Sequence, residues 1–427
     1  MTEWRSVELR ELVSNGQAEI RTGPFGTQLR AADYGESGVP VLNVRNLGFG
    51  GVRATDVDLV DTTVQRRLSP HLLQKHDIVF GRKGAVDRHA LIRDSQVGWM
   101  QGSDCIRLRL SPSAPVRPEF LSYALLTPSH KAWMEAQCSH GSTMASLNQD
   151  ILGRIEIAVP GGETQQRVAA TLGAFDELIA INERRIELLE DLARSIYREW
   201  FVRYRFVQSP AHLIDTEVGS VPAGWLIQPL SEVCSFIGAG ATPRRADSSN
   251  WEGGTLHWFT TGELRDGPLI AAAEQVVLKS NTRVFEPPMI LMAIYGSPTV
   301  GRLGWVTQPC SCNQAALGLR CRSEDGHAWL WHKLEALRGH FNSMAQGAAQ
   351  QNISKEKVQN TLVAVPPADV LQRFADVARP LRDSSHRLAV ENARIAALRD
   401  FVLGRLVSGR LDISGVDLGV LLTEDAA

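Results

Sequence analysis

Residues 161–206 read GGETQQRVAATLGAFDELIAINERRIELLEDLARSIYREWFVRYRF. In steps of three and four, Leu172, Phe175, Ile179, Asn182, Ile186, Leu189, Ala193, Ile196 and Trp200 fall on one stripe, the spacing of a coiled-coil seam. The other faces carry Arg and Glu, as a solvated helix surface does. A helix of roughly 40 residues would run about 60 Å, longer than a compact domain needs. Its C-terminal end turns aromatic and basic, with Tyr197, Trp200, Phe201, Arg203, Tyr204, Arg205 and Phe206.

The stretch recurs 206 positions downstream, where residues 366–411 read PPADVLQRFADVARPLRDSSHRLAVENARIAALRDFVLGRLVSGRL. Pro160 falls on Pro366, Gln166-Arg167 on Gln372-Arg373, Leu189 on Ile395 and Leu192 on Leu398. Similar segments precede the two copies, LNQDILGRIEIAVP at 147–160 and ISKEKVQNTLVAVP at 353–366. The chain is therefore a two-unit internal repeat.

A length of 427 residues allows two to four domains, each with its own core. Apolar residues at 44% and charged residues at 22% are ordinary for a soluble globular protein. No apolar run with a basic flank opens the chain, so no signal peptide is expected. The longest apolar run, 289–295, is too short to cross a bilayer. The six cysteines form no CxxC pair, which points to reduced thiols in a cytoplasmic protein and to no metal site. A net charge of −2 argues against a general nucleic-acid glue. Yet Arg outnumbers Lys 38 to 7, and Arg suits bidentate contact with guanine and phosphate; a GC-rich genome would give the same ratio.

The segments before the helices lack long helical periodicity. Residues 1–160 show β-like runs at 39–44, 76–80 and 106–110, a helical patch at 119–138, a turn at 140–143 and a strand at 154–159. Residues 223–366 repeat this skeleton more loosely: 256–259 matches 39–42, Ile290-Leu291 matches Ile78-Val79, and 317–319 matches 106–108. Pro210, Gly219 and Pro222 mark 207–222 as a linker. The expected partition is 1–160, 161–206, 207–222, 223–366 and 367–412, with a flexible tail at 413–427. The expected fold is α+β: two α/β domains alternate with two long helices that pack as an antiparallel coiled coil, related by a pseudo-two-fold axis.

No catalytic constellation survives inspection. The chain has no GxxxxGK[ST], HExxH or GxSxG motif. Gly81-Arg82-Lys83-Gly84 lacks the phosphate-loop spacing, and Glu286-Pro287-Pro288-Met289 reads as a turn before a strand. Neither catalytic residues nor a bound cofactor are expected. Binding loops are better marked. Gly lets backbone approach phosphate, Arg and Gln reach base edges, and hydroxyls hold phosphate oxygens. On that basis the candidate DNA contacts are Arg21, Thr27, Arg82, Lys83, Arg88, Ser142 and Thr143 in the first unit, and Thr242, Arg244, Arg245, Tyr295 and Gln346 in the second. Such stretches are also ordinary surface loops, and a coiled-coil scaffold without sequence-specific DNA readout is the competing reading.

The layout, with GPFGTQL at 23–29, DIVFGRKG at 77–84, the 147–160 segment running into the first helix, and GAGATPRR at 238–245 with WFTTGEL at 258–264, resembles the DNA-specificity subunits of Type I restriction–modification systems. The resemblance covers about residues 4–412. It implies that each α/β unit is a target-recognition domain for double-stranded DNA. The helical units would then space those domains and dock two methyltransferase subunits. It also implies restriction/translocase subunits as partners, with S-adenosylmethionine, ATP and Mg held by partner subunits rather than by this chain. Tyr295-Gly296-Ser297 stands where Lys83-Gly84 stands, and the second helix carries Pro380 and Ser384-Ser385, which are the main departures.

An antiparallel pairing of the repeated helices makes the contacts explicit. Val168 meets Leu406, Leu172 meets Val402, Ile179 meets Ile395, Ile186 meets Leu388, Ala193 meets Leu381 and Trp200 meets Phe374. Phe175 opposite Arg399 and Leu189 opposite Ser385 are poor matches, and Asn182 falls against Asn392 at the centre. A buried Asn pair penalises every register that sets one amide against hydrocarbon.

Overall fold

A computed structural model describes residues 4–24, 26, 28–138, 145–205, 212–269, 273, 275–278, 282–296, 299–345 and 352–413. They divide into two compact units, Met1–Glu177 with Ala396–Ala427, and Leu178–Ile395.

The first unit is built on a five-stranded sheet. Its strands are β1 (Ala18–Thr22), β2 (Phe49–Gly50), β3 (Ile78–Gly81), β4 (His89–Leu91) and β5 (Cys105–Leu110), in the order β1-β5-β3-β4-β2. The pairings are antiparallel except β2 with β4. Ile78, Phe80, Ile106 and Leu108 are buried with Phe120, Leu121 and Leu152 in one core. The second unit repeats the plan with β6 (Cys234–Ala239), β7 (Gly267–Leu269), β8 (Met289–Ala293), β9 (Leu303–Val306) and β10 (Ala316–Cys321), in the order β6-β10-β8-β9-β7. Here again only the outermost pair, β7 with β9, is parallel.

The segments leading into the long helices repeat in detail. Asn148 caps the short helix Gln149–Gly153 by accepting from Ile151 N, and Ser354 caps Lys355–Gln359 by accepting from Lys357 N. Each cap satisfies a backbone donor that the helix itself leaves open. The strands that follow, Glu156–Val159 and Leu362–Val365, pair with Arg5–Glu8 and Leu226–Pro229.

Two helices then dominate: α1 (Gly162–Phe201) and α2 (Ala368–Leu406), of 40 and 39 residues. In the second unit they run antiparallel, with Asn182 beside Asn392, Glu190 beside Ser385 and Trp200 beside Phe374. The two poor matches are relieved by neighbouring side chains. Ser385 Oγ donates to Glu190 Oε1 at 3.3 Å, so the serine facing Leu189 is satisfied. In the first unit Arg399 Nη1 donates to Asp176 Oδ1 at 2.6 Å, one residue beyond Phe175. There Val168 and Leu172 share the core with Leu403 and Leu406. Pro380 lies within α2 without ending it.

Several boundaries differ from the sequence reading. The 119–138 patch is two helices, Pro118–Ala124 and Pro128–Cys138, because Pro128 has no N–H to continue the first. Helix α1 stops at Phe201 rather than at 206, and Tyr204 has a left-handed φ of 56°. The 207–222 linker is not structureless: Leu213–Thr216 and Gly219–Pro222 form a hairpin that turns through Glu217 and Val218, and Gly219 leaves the turn with φ 97°. Ile413 is buried in the first unit's core, and the rest of the tail lies outside the described residues.

Candidate nucleic-acid interface

The sheet topology gathers the first unit's loops at one place. Thr22 pairs with Ile106, Gly81 with Cys105, and Phe80 with His89. The connections leaving β1 and β3 and those entering β4 and β5 therefore meet at one end of the sheet. Backbone bonds tie them together: Gly23 N donates to Cys105 O at 2.9 Å, and Arg82 N to Asp104 O at 2.8 Å. Residues 145–149 join from another element. Gly84 N donates to Ala145 O, Leu147 N to Arg82 O, and Gln149 Nε2 to Thr22 Oγ1 at 2.9 Å.

The named side chains of this unit differ in freedom. Arg21 is engaged inside the chain, 2.5 Å from Glu19 and donating to the Pro70 carbonyl at 3.1 Å. Burial alone would raise the Glu19 carboxyl, but Arg107 and Arg21 beside it hold it below the usual range. The Arg82 side chain has no hydrogen-bond or ionic partner among the described residues. Lys83 is exposed, with its ammonium 3.6 Å from Asp104 in a pair worth little in water. Arg88 lies 5.6 Å from the centre of the Phe49 ring. Thr27, Ser142 and Thr143 lie outside the described residues.

The second unit builds the same end from different side chains. Ala239 pairs with Leu317, Ala293 with Ala316, and Met292 with Leu303. Thr242 Oγ1 donates to Gln314 Oε1, joining the 240–245 and 313–315 connections. The Arg244 carbonyl accepts from Asn250 Nδ2 while the residue itself is exposed. Arg245 sits 6.0 Å from the Trp258 ring. Tyr295, 40% exposed, bridges Asn352 as Lys83 bridges Ser146. Gly84 and Gly296 follow those residues with φ of 74° and 87°, a turn that favours glycine. Gln346 lies outside the described residues.

The structure also brings to these ends Gln149 and Arg283, which the sequence does not single out, the latter donating from Nη1 to Ala239 O at 2.7 Å. Each comes from an element remote in sequence, and only the repeat register could have flagged Gln149.

The remaining named pair lies in the second unit's helices. Asn182, 1% exposed, donates from Nδ2 to Asn392 Oδ1 at 3.0 Å. Asn392 Nδ2 in turn donates to the Ile179 carbonyl at 3.1 Å. Among the described residues no helix is long and apolar enough to cross a membrane.

Known proteins resemble this chain in sequence and in fold. The model of the Type I restriction modification DNA specificity domain matches residues 52–191 and 222–386. The Type I restriction enzyme MjaIX specificity subunit of Methanocaldococcus jannaschii is 22% identical over 309 residues, 71% of this chain and 71% of that protein. The putative type I restriction enzyme MjaX specificity subunit of the same organism is 20% identical over 418 residues, 96% of this chain and 94% of that one. The crystal structure of the Type-I restriction-modification system S subunit from M. genitalium shares the fold, with a TM-score of 0.56 at 16% identity, over 95% of this chain and 96% of that one.

Proposed function

This chain belongs to the Type I restriction modification DNA specificity family and is the non-catalytic subunit that recognises the DNA target, and from that premise we propose that its two repeat units read two unlike halves of a bipartite, asymmetric sequence. Recognition is assigned to residues 1–160 and 223–366, and spacing to 161–206 and 367–412. One observation carries the proposal: the same end of the same sheet bears different side chains in the two units, Lys83 and Ser146 in one where Tyr295 and Asn352 stand in the other. Equal scaffolds with unequal loops suit unequal half-sites. Half-sites read on one face of B-DNA lie about one helical turn apart, roughly 34 Å.

The helices also carry apolar residues that the seam does not use. On α1, Leu178, Ile181, Leu188 and Leu192 are exposed, Leu188 by 52%. Spaced three, seven and four apart, they form a second stripe, which supports a role as platform for two methyltransferase subunits. Restriction/translocase subunits would complete the complex, with S-adenosylmethionine, ATP and Mg on those partners, in the cytoplasm.

Arg82→Ala tests the recognition surface. If the guanidinium meets phosphate, affinity falls for every duplex and the salt dependence flattens by about one counterion. If it reads a base, the loss of about 1–3 kcal/mol is confined to duplexes carrying the cognate first half-site. Anisotropy titrations across a salt series separate the two outcomes, and unchanged affinity and slope would contradict the assignment of this end of the sheet to DNA.

A further inference from the structure

Phe49 is 46% exposed on the outermost strand of the first unit's sheet, beside His89. Two cations accompany its ring: Lys131 Nζ lies 4.1 Å from the ring centre and Arg88 Cζ 5.6 Å. Among the described residues no carboxylate pairs with either cation, and Arg88 Nε is buried without an acceptor. The ring attracts both cations but cannot neutralise them, so the position is open to an anion.

The repeat supplies an internal comparison. In the second unit Gly267 pairs with Gly304 in parallel, so Asp266 stands opposite Leu303 as Phe49 stands opposite His89. Asp266 N donates to Leu303 O at 2.9 Å. The cation at this place is Arg338, on the helix Arg338–Met344, which corresponds to the helix bearing Lys131. Arg338 is ion-paired to Asp266 and donates from Nε to the Gly301 carbonyl at 3.1 Å. One unit thus closes and neutralises a position that the other leaves open and cationic.

We propose that Phe49, Lys131 and Arg88 form a contact to the DNA backbone that belongs to the first unit alone and lies beside the recognition loops. Lys131 and Arg88 hold one phosphate as point charge and fork respectively, and the Phe49 ring lies against the adjoining deoxyribose. Phenylalanine has no group that could read a base edge, so the contact positions the duplex without selecting its sequence. The inference rests on the assignment of this end of the sheet to DNA.

The test uses the full chain in its assembled complex, titrated with a cognate and an unrelated duplex across a salt series. Lys131→Ala is expected to weaken binding of both duplexes alike, about five-fold, and to reduce the salt slope by about one. Lys131→Arg restores the slope. Phe49→Ala weakens both duplexes alike with the slope unchanged, and Arg338→Ala leaves the slope as it is. An unchanged slope in Lys131→Ala, with Arg82→Ala still weakening binding, overturns this proposal and leaves the wider reading standing. A loss confined to the cognate duplex overturns the backbone assignment. Absence of effect in both Lys131→Ala and Arg82→Ala overturns both.

Discussion

Replacing Phe374 with Ala is expected to lower the unfolding free energy by about 3–5 kcal/mol, the range for emptying a buried aromatic site. Phe374 is fully buried near the start of α2. Its ring centre lies 4.9 Å from Phe201, 6.0 Å from Trp200, 6.2 Å from Tyr197 and 5.9 Å from His332. Those partners come from the last two turns of α1 and from the helix Gly326–Ala336. One side chain thus locks both long helices to the core of the second unit. Aromatic pairs at such distances add about 0.5–1.5 kcal/mol each beyond their area, so the upper end of the range is expected. Urea unfolding of the variant measures it. A loss below about 1 kcal/mol would mean that the cluster repacks around the gap.

The second large effect concerns the amide pair. Asn182→Leu takes the donor from Asn392 Oδ1 at a half-buried position of the seam, where the loss approaches the lower end of the about 1–3 kcal/mol that an unsatisfied buried polar group costs. Replacing both with Leu removes the polar groups together, and the double variant is expected to melt above the single variant and above the parent chain. The gain in stability comes with a looser register, because leucines slide past one another where two amides do not. Thermal melts of the three chains are the measurement. A double variant less stable than Asn182→Leu would contradict the account, since the amides would then be worth more than the hydrocarbon that replaces them.

Much of this was legible in the sequence because the relevant patterns are long. The stripe from Leu172 to Trp200 spans nearly eight turns, and its echo fixed both helices. The antiparallel register follows from the 206-residue shift, and that register sets Trp200 against Phe374 and Asn182 against Asn392, pairs that meet in the structure. The relief of the mismatches was not legible: Asp176 and Glu190 lie one residue off the seam, where periodicity counts them as solvated. The loops were harder still. Arg21 looked free in sequence, yet the strand geometry brings Glu19 and the Pro70 carbonyl to it. Phe49 and Lys131 are far apart in the chain, and neither sits in a motif. The hairpin in the 207–222 segment escaped notice because Leu213 and Ile214 are exposed, so its strands lack the alternation that burial imposes.

The most direct test of the central claim is a map of modified bases in a genome carrying this chain with its complete system. The proposal that the two repeat units, alike in sheet and unlike in loops, read one half-site each predicts methylation within a motif of two different half-sites, separated by a fixed number of bases whose identity is irrelevant. A continuous motif, or a palindrome with identical halves, would contradict it.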